Sequence, residues 1–134
     1  SVKTLLRYLL INFISLWVTT ELIRGLTYTG GLRSLFLGVV VFTTINILLV
    51  PLIKLLLLPL NLLTLGLFAW LPNVLALYAL TTLYPAFSLQ PFYFPGYNLG
   101  GFNIPAYNLS TLMVVIVSAF VIGIITHLIH WLIH

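Results

Sequence analysis

Residues Pro51 to Phe68 read PLIKLLLLPLNLLTLGLF, an apolar run broken by two prolines and carrying a single charge, Lys54. No loop of a soluble protein has this composition, and no water-facing surface follows it. Beyond Lys54 the chain contains no Asp, Glu, Lys or Arg for 80 residues. Of its 134 residues, 62% are apolar and 4% are charged, against about 25% charged in a soluble domain. Too few polar groups exist to cover a water-solvated particle, so a soluble globular enzyme is excluded. Disorder requires low hydrophobicity and high charge, and is excluded as well. The composition specifies an integral membrane protein whose first partner is the lipid bilayer.

Outward from that stretch, four spans are expected at about 20 apolar residues each. They are read at residues 5–23, 34–58, 66–84 and 109–133, in one transmembrane domain over residues 1–134. The fold class is all-α, a four-helix membrane bundle. Lys3 and Arg7 precede the first apolar run as in a signal peptide, but no small-residue cleavage site follows, so that run is read as a retained span. Pro51 to Phe68 itself is read as the end of span two followed by a sharp interfacial turn at Pro59 to Asn61. The alternative is a re-entrant hairpin buried in protein. Lys3, Arg7 and Lys54 lie on one side of the spans, and Arg24 and Arg33 on the other. This distribution favours termini in the cytoplasm. Five cations spread over 54 residues are topology signals and not a nucleic-acid footprint.

Residues 86–108 form a second unusual connection, uncharged, dense in Pro and Gly, and carrying seven aromatic residues. That density excludes a helix. Pro95-Gly-Tyr97-Asn98-Leu99 recurs as Pro105-Ala-Tyr107-Asn108-Leu109 around Gly100-Gly101, so a turn is expected to fold the copies together. Aromatic rings with polar tips favour the headgroup layer, which predicts a cap on the membrane surface. A longer repeat is also visible. NFISLWVTTELIRGLT from Asn12 aligns with NVLALYALTTLYPAFS from Asn73, and LRSLFLGVVV from Leu32 aligns more loosely with LSTLMVVIVS from Leu109. Spans one and two, then three and four, read as a duplicated hairpin running in the same direction.

With those residues in view, the chain resembles the YvlD-like family of small bacterial four-span proteins, which is grouped with a phage-holin superfamily. The resemblance rests on Asn46, Pro51, Pro59, Leu60, Leu62, Leu63, Thr64, Leu65, Gly66, Leu67 and Phe68, with Asn73 matching the Asn of span three. The chain departs from the family pattern at Lys54, which lies further on than the usual cation, and over Gln90 to Asn108, which is longer than the usual connection. The resemblance implies an inner-membrane bundle, with holin activity as a weaker implication.

Few residues offer chemistry. Asn12, Asn46 and Asn73 lie within spans and read as interhelical hydrogen-bonding groups, with a polar pore lining as the alternative. Glu21 is the only acid and lies one helical turn from Arg24, an interfacial ion pair. His127, His130 and His134 share a helix face but lack a fourth strong ligand, so no metal and no cofactor is expected. Gly38, Gly123, Ser118 and Ala119 offer small surfaces for close helix packing. No acid pair, activated nucleophile or hydrolase triad is present. The expected function is non-enzymatic and works through self-association or another envelope protein. Holin-type permeabilisation by oligomers and a small channel or transporter are the alternatives.

Overall fold

The computed structural model describes all 134 residues. Four helices, α1 (Val2–Leu22), α2 (Gly31–Leu63), α3 (Leu71–Leu83) and α4 (Thr111–Ile133), alternate in direction and pack as a bundle. Six three-residue strands decorate one end: β1 (Leu26–Tyr28), β2 (Phe87–Leu89), β3 (Phe92–Phe94), β4 (Tyr97–Leu99), β5 (Phe102–Ile104) and β6 (Tyr107–Leu109). The fold is therefore mainly helical but not all-α. Three helices, α1, α2 and α4, have the length and hydropathy to cross a membrane, and α3 is a shorter apolar helix. Only 26 of the 134 residues are buried within the protein, so lipid must solvate most of the helix surface.

The connections within the two hairpins begin with the same local structure. α1 ends at Leu22 and α3 at Leu83, with Thr20 Oγ1 donating to Trp17 O and Thr81 Oγ1 to Tyr78 O, each at three residues' separation. β1 and β2 then pair antiparallel, with Thr27 opposite Ser88. These are equivalent positions of the repeat, and their hydroxyls are 3.0 Å apart. On either side, Thr29 N–H donates to Ala86 O at 3.0 Å and Gln90 N–H donates to Gly25 O at 2.8 Å. Equivalent residues exchanging equivalent bonds is the signature of a two-fold relation. A local pseudo-two-fold axis thus passes between Thr27 and Ser88.

The turn between the hairpins lies elsewhere than the sequence suggested. α2 stays helical through both Pro51 and Pro59 to Leu63, so no turn forms at Pro59 to Asn61. A proline in a helix forfeits one backbone bond but is tolerated among membrane helices. The reversal comes at Thr64 to Trp70. Leu65 and Gly66 take φ of 57° and 85°. Gly66 N–H donates to Asn61 O at 2.7 Å, and Asn61 Oδ1 accepts from Phe68 N–H at 2.9 Å. The Asn61 to Phe68 stretch is thus a bonded reversal, with glycine where a left-handed residue is needed. Span three shortens accordingly. Only Leu71–Leu83 is helical, about 20 Å at 1.5 Å per residue, whereas α2 is about 50 Å long.

The aromatic connection is a β-ribbon. β3 pairs with β6 and β4 with β5 in one continuous register, broken only where Pro95-Gly96 faces Pro105-Ala106. Gly100 and Gly101, with φ of 49° and 93°, close it as a two-residue turn with both central residues left-handed, the preferred hairpin connection. The two Tyr-Asn-Leu copies flank that turn as expected but do not pair with each other, since each pairs with a Phe-rich or Phe-led strand. Glu21 and Arg24 are also not joined as a helical pair. α1 ends between them, and Ile23 is extended at φ −109° and ψ 102°.

The core runs through the bundle centre, with Leu16, Leu35, Val39, Leu77, Leu80, Phe87 and Val115 buried. Gly38 does not bring two helices together. It accommodates the ring of Phe87, which a side chain at position 38 would overlap, and Tyr28 stacks on that ring at 5.3 Å. We expect Gly38→Ala to destabilise the protein by about 1–3 kcal/mol through overpacking, and Phe87→Ala by about 3–5 kcal/mol through cavity formation. The double variant should cost less than the sum, because the smaller residue at position 87 vacates the space that a methyl group at position 38 needs. Denaturation in detergent micelles followed by circular dichroism measures all three.

Candidate functional site

Polar side chains from all four helices meet in a chamber of about 220 Å³ inside the bundle. α1 supplies Tyr8 and Asn12, and α2 supplies Phe42 and Asn46. Each pair is four residues apart, so each lies on one helix face. α3 supplies Asn73 from its first turn. α4 supplies Ala119, Ile122, Gly123, Thr126, His127 and His130, which recur at helical spacing along one stripe. One helical turn closer to the β-strands, Leu16, Leu77 and Val115 lie in the buried apolar core.

The chamber lies on the repeat. Asn12 and Asn73 are equivalent and both line it. Carrying the alignment of Leu32 with Leu109 forward makes Phe42 equivalent to Ala119 and Asn46 to Gly123, and all four line it too. The symmetry is broken in size. Where α2 presents a ring and an amide, α4 presents a methyl and a hydrogen, and nothing lies within 4 Å of a side-chain position at Gly123. The short α3 widens the same side. A lipid-facing notch of about 560 Å³ therefore opens between α3 and α4, lined by Trp70, Phe120, Ile124, Leu128 and Trp131. Asn73, Ala119, Gly123 and His127 border both spaces.

The hydrogen bonds separate the three asparagines. Asn12, 6% exposed, donates through Nδ2 to Thr43 Oγ1 at 2.9 Å and so links α1 to α2. Asn46 donates to Phe42 O of its own helix at 2.8 Å. Asn73 is exposed at the notch, and its amide bonds to no protein group. Of the three, Asn12 alone makes an interhelical bond. A second polar link, Ser15 Oγ to Thr126 Oγ1 at 2.8 Å, joins α1 to α4, and Ser118 Oγ is buried without a partner. Tyr8, Thr43 and Thr126 escaped the sequence reading. The signals available were the four-residue spacing of Tyr8 from Asn12 and the run Thr126-His127 before His130. Of the three histidines, His127 and His130 face the chamber, while His134 stacks on His130 at 5.8 Å.

The remaining motif residues serve the reversal and the long helix. Pro51 and Pro59 lie within α2. Thr64 closes α2, its Oγ1 donating to Leu60 O at 2.7 Å, and Gly66 forms the left-handed corner. Glu21 and Arg24 lie at the opposite end, away from the chamber and exposed.

A family model described as mycobacterial 4 TMS phage holin, superfamily IV, matches residues 3–96. The match includes α1, α2, α3 and the strands up to β3, and stops within the ribbon, so α4 lies beyond it. No curated protein and no solved structure matches the chain.

The bond pattern predicts unequal effects. Asn12→Leu and Thr43→Val should each destabilise by about 0.6–2 kcal/mol, with a coupling of similar size in a double-mutant cycle. Asn73→Leu, which breaks no bond within the protein, should change stability by less than about 0.5 kcal/mol. Reversible unfolding in mixed micelles distinguishes the three.

Proposed function

The chain belongs to the 4 TMS phage holin superfamily IV, and on that premise we propose that it is a non-enzymatic membrane protein of holin type that acts by self-association. The observation that carries this reading is the ribbon from β3 to β6. It projects from the bundle as two strands whose outer edges are unpaired. A two-stranded ribbon is marginal alone, and an uncharged edge is a template for another strand. Here no charge protects it, and Tyr93, Tyr97, Phe102 and Tyr107 are more than half exposed. Edge-to-edge pairing of two ribbons satisfies both edges and covers the rings. The family supports a bacterial inner-membrane location for this assembly, and the cations at the helix ends support cytoplasmic termini with the ribbon outside.

Holin-type permeabilisation is a second reading, favoured by the chamber, to which every helix contributes a polar group. In one copy that chamber ends against the apolar core, so opening a path requires assembled copies to rearrange.

Cysteine substitution tests the first reading directly, since the chain has no cysteine. Oxidation in membranes should yield a covalent dimer from Asn98→Cys or Asn103→Cys, at the ribbon tip, and none from Leu48→Cys on the outer face of α2. Monomers from all three overturn the reading. Controlled expression with a potential-sensitive dye tests the second, for which collapse of the potential is expected. Harmless accumulation to high levels overturns it.

A further inference from the structure

The chamber and the notch adjoin along Asn73, Ala119, Gly123 and His127, which line both. The inner space is the smaller and more polar, and the outer is larger, apolar and open to the bilayer. We propose that the two together are a binding site for a single-chain amphiphile with an uncharged, hydroxyl-bearing head, of the monoacylglycerol class. The head occupies the chamber and the chain lies in the notch.

Size suits a single chain. A methylene takes up about as much space as a water, roughly 30 Å³, so the notch of about 560 Å³ matches one acyl chain of on the order of 18 carbons. The chamber, at about 220 Å³, suits a head of glycerol size and excludes a bulky one. Gly123 is the doorway, because any side chain there would stand between the two spaces.

Chemistry sets the head. All six formal charges, Lys3, Arg7, Glu21, Arg24, Arg33 and Lys54, lie outside the chamber lining. A buried ionic head would thus lack a fixed counter-charge, which is costly in a low-dielectric interior. The chamber offers both acceptors and donors. Asn12 is more than nine-tenths buried and bonds to Thr43 and to the Tyr8 side chain. Asn46 commits Nδ2 to Phe42 O and leaves Oδ1 free, and Tyr8, His127 and His130 bring O–H and N–H groups to the same lining. Hydroxyl groups, which both donate and accept, match such a mixed lining. The Asn73 amide, unbonded at the mouth, can donate to the ester carbonyl of such a ligand. The site is independent of the ribbon and stands whether or not copies associate.

The test uses the full chain in phosphatidylcholine vesicles, with Trp17→Phe leaving Trp70 and Trp131 as the only indoles. Brominated monooleoylglycerol, a contact quencher of tryptophan, is titrated in. Quenching should saturate, whereas in a Trp70→Phe, Trp131→Phe variant the remaining Trp17 should show only dose-proportional quenching. Gly123→Leu should abolish the saturable part with helical circular dichroism unchanged. Asn12→Leu should raise the half-saturating dose by about tenfold, the worth of one hydrogen bond. Dose-proportional quenching at Trp70 and Trp131, or saturation indifferent to Gly123→Leu, overturns the site. Equal saturation by brominated oleic acid or brominated phosphatidylcholine overturns the assignment of the head or of the single chain. A notch filled by a second copy would show instead as no saturable quenching, with Gly123→Leu lowering the cross-linked dimer yield, and that result also overturns the proposal.

Discussion

The bonds between Gly25 and Gln90 and between Ala86 and Thr29 hold the two hairpins in fixed relation. Backbone groups at a membrane surface must find partners, and here each hairpin's connection satisfies the other's. Because equivalent residues meet, the β1–β2 pair also fixes where the bundle axis runs. Phe87 then enters the space above Gly38, and its ring joins the core at the point where the connections meet the helices. Below that layer the equivalent residues Asn12 and Asn73 both reach the chamber, as the pairing of their hairpins requires.

The chamber is what remains when a nearly symmetric bundle is made unequal. A faithful copy of α2 would fill the space with a second ring and a second amide. Ala119 and Gly123 leave it open. The reversal at Leu65 and Gly66 contributes as much, since it uses seven residues in turns that a full-length α3 would have used to cover α4. Small residues on one helix and a short neighbour thus act together. Either alone would leave a shallower surface, and the polar interior would be sealed from the bilayer.

Composition made the membrane legible, the length of the apolar runs the helices α1, α2 and α4, and the internal alignment the duplicated hairpin. The Asn12–Asn73 equivalence came from sequence as well, and it marks the chamber. The length of α3 was hidden, because Thr64-Leu65-Gly66-Leu67-Phe68 is as apolar as a span and hydropathy does not distinguish a turn from a helix in lipid. Leu65 in a left-handed conformation is uncommon for a side chain of its kind, and no residue type announces it. Gly38 misled for a related reason: a small residue signals a close approach without saying what approaches. The ribbon was read as a loop because its prolines exclude a helix, yet they fall at the one break in the strand register and leave the pairing intact. The Glu21–Arg24 spacing presumed a helix that stops at Leu22. Which asparagine bonds which helix depends on rotation about helix axes, and that is a property of packing.

Ser110 is the only residue between β6 and α4, and its hydroxyl caps the helix by accepting from Met113 N–H at 3.3 Å. Strand and helix therefore meet without a linker, and the direction in which the ribbon leaves the bundle is set by the first turn of α4. Further along, the same helix carries Gly123 and the stripe that lines the chamber, so the exterior arm and the interior cavity are built on one continuous helix.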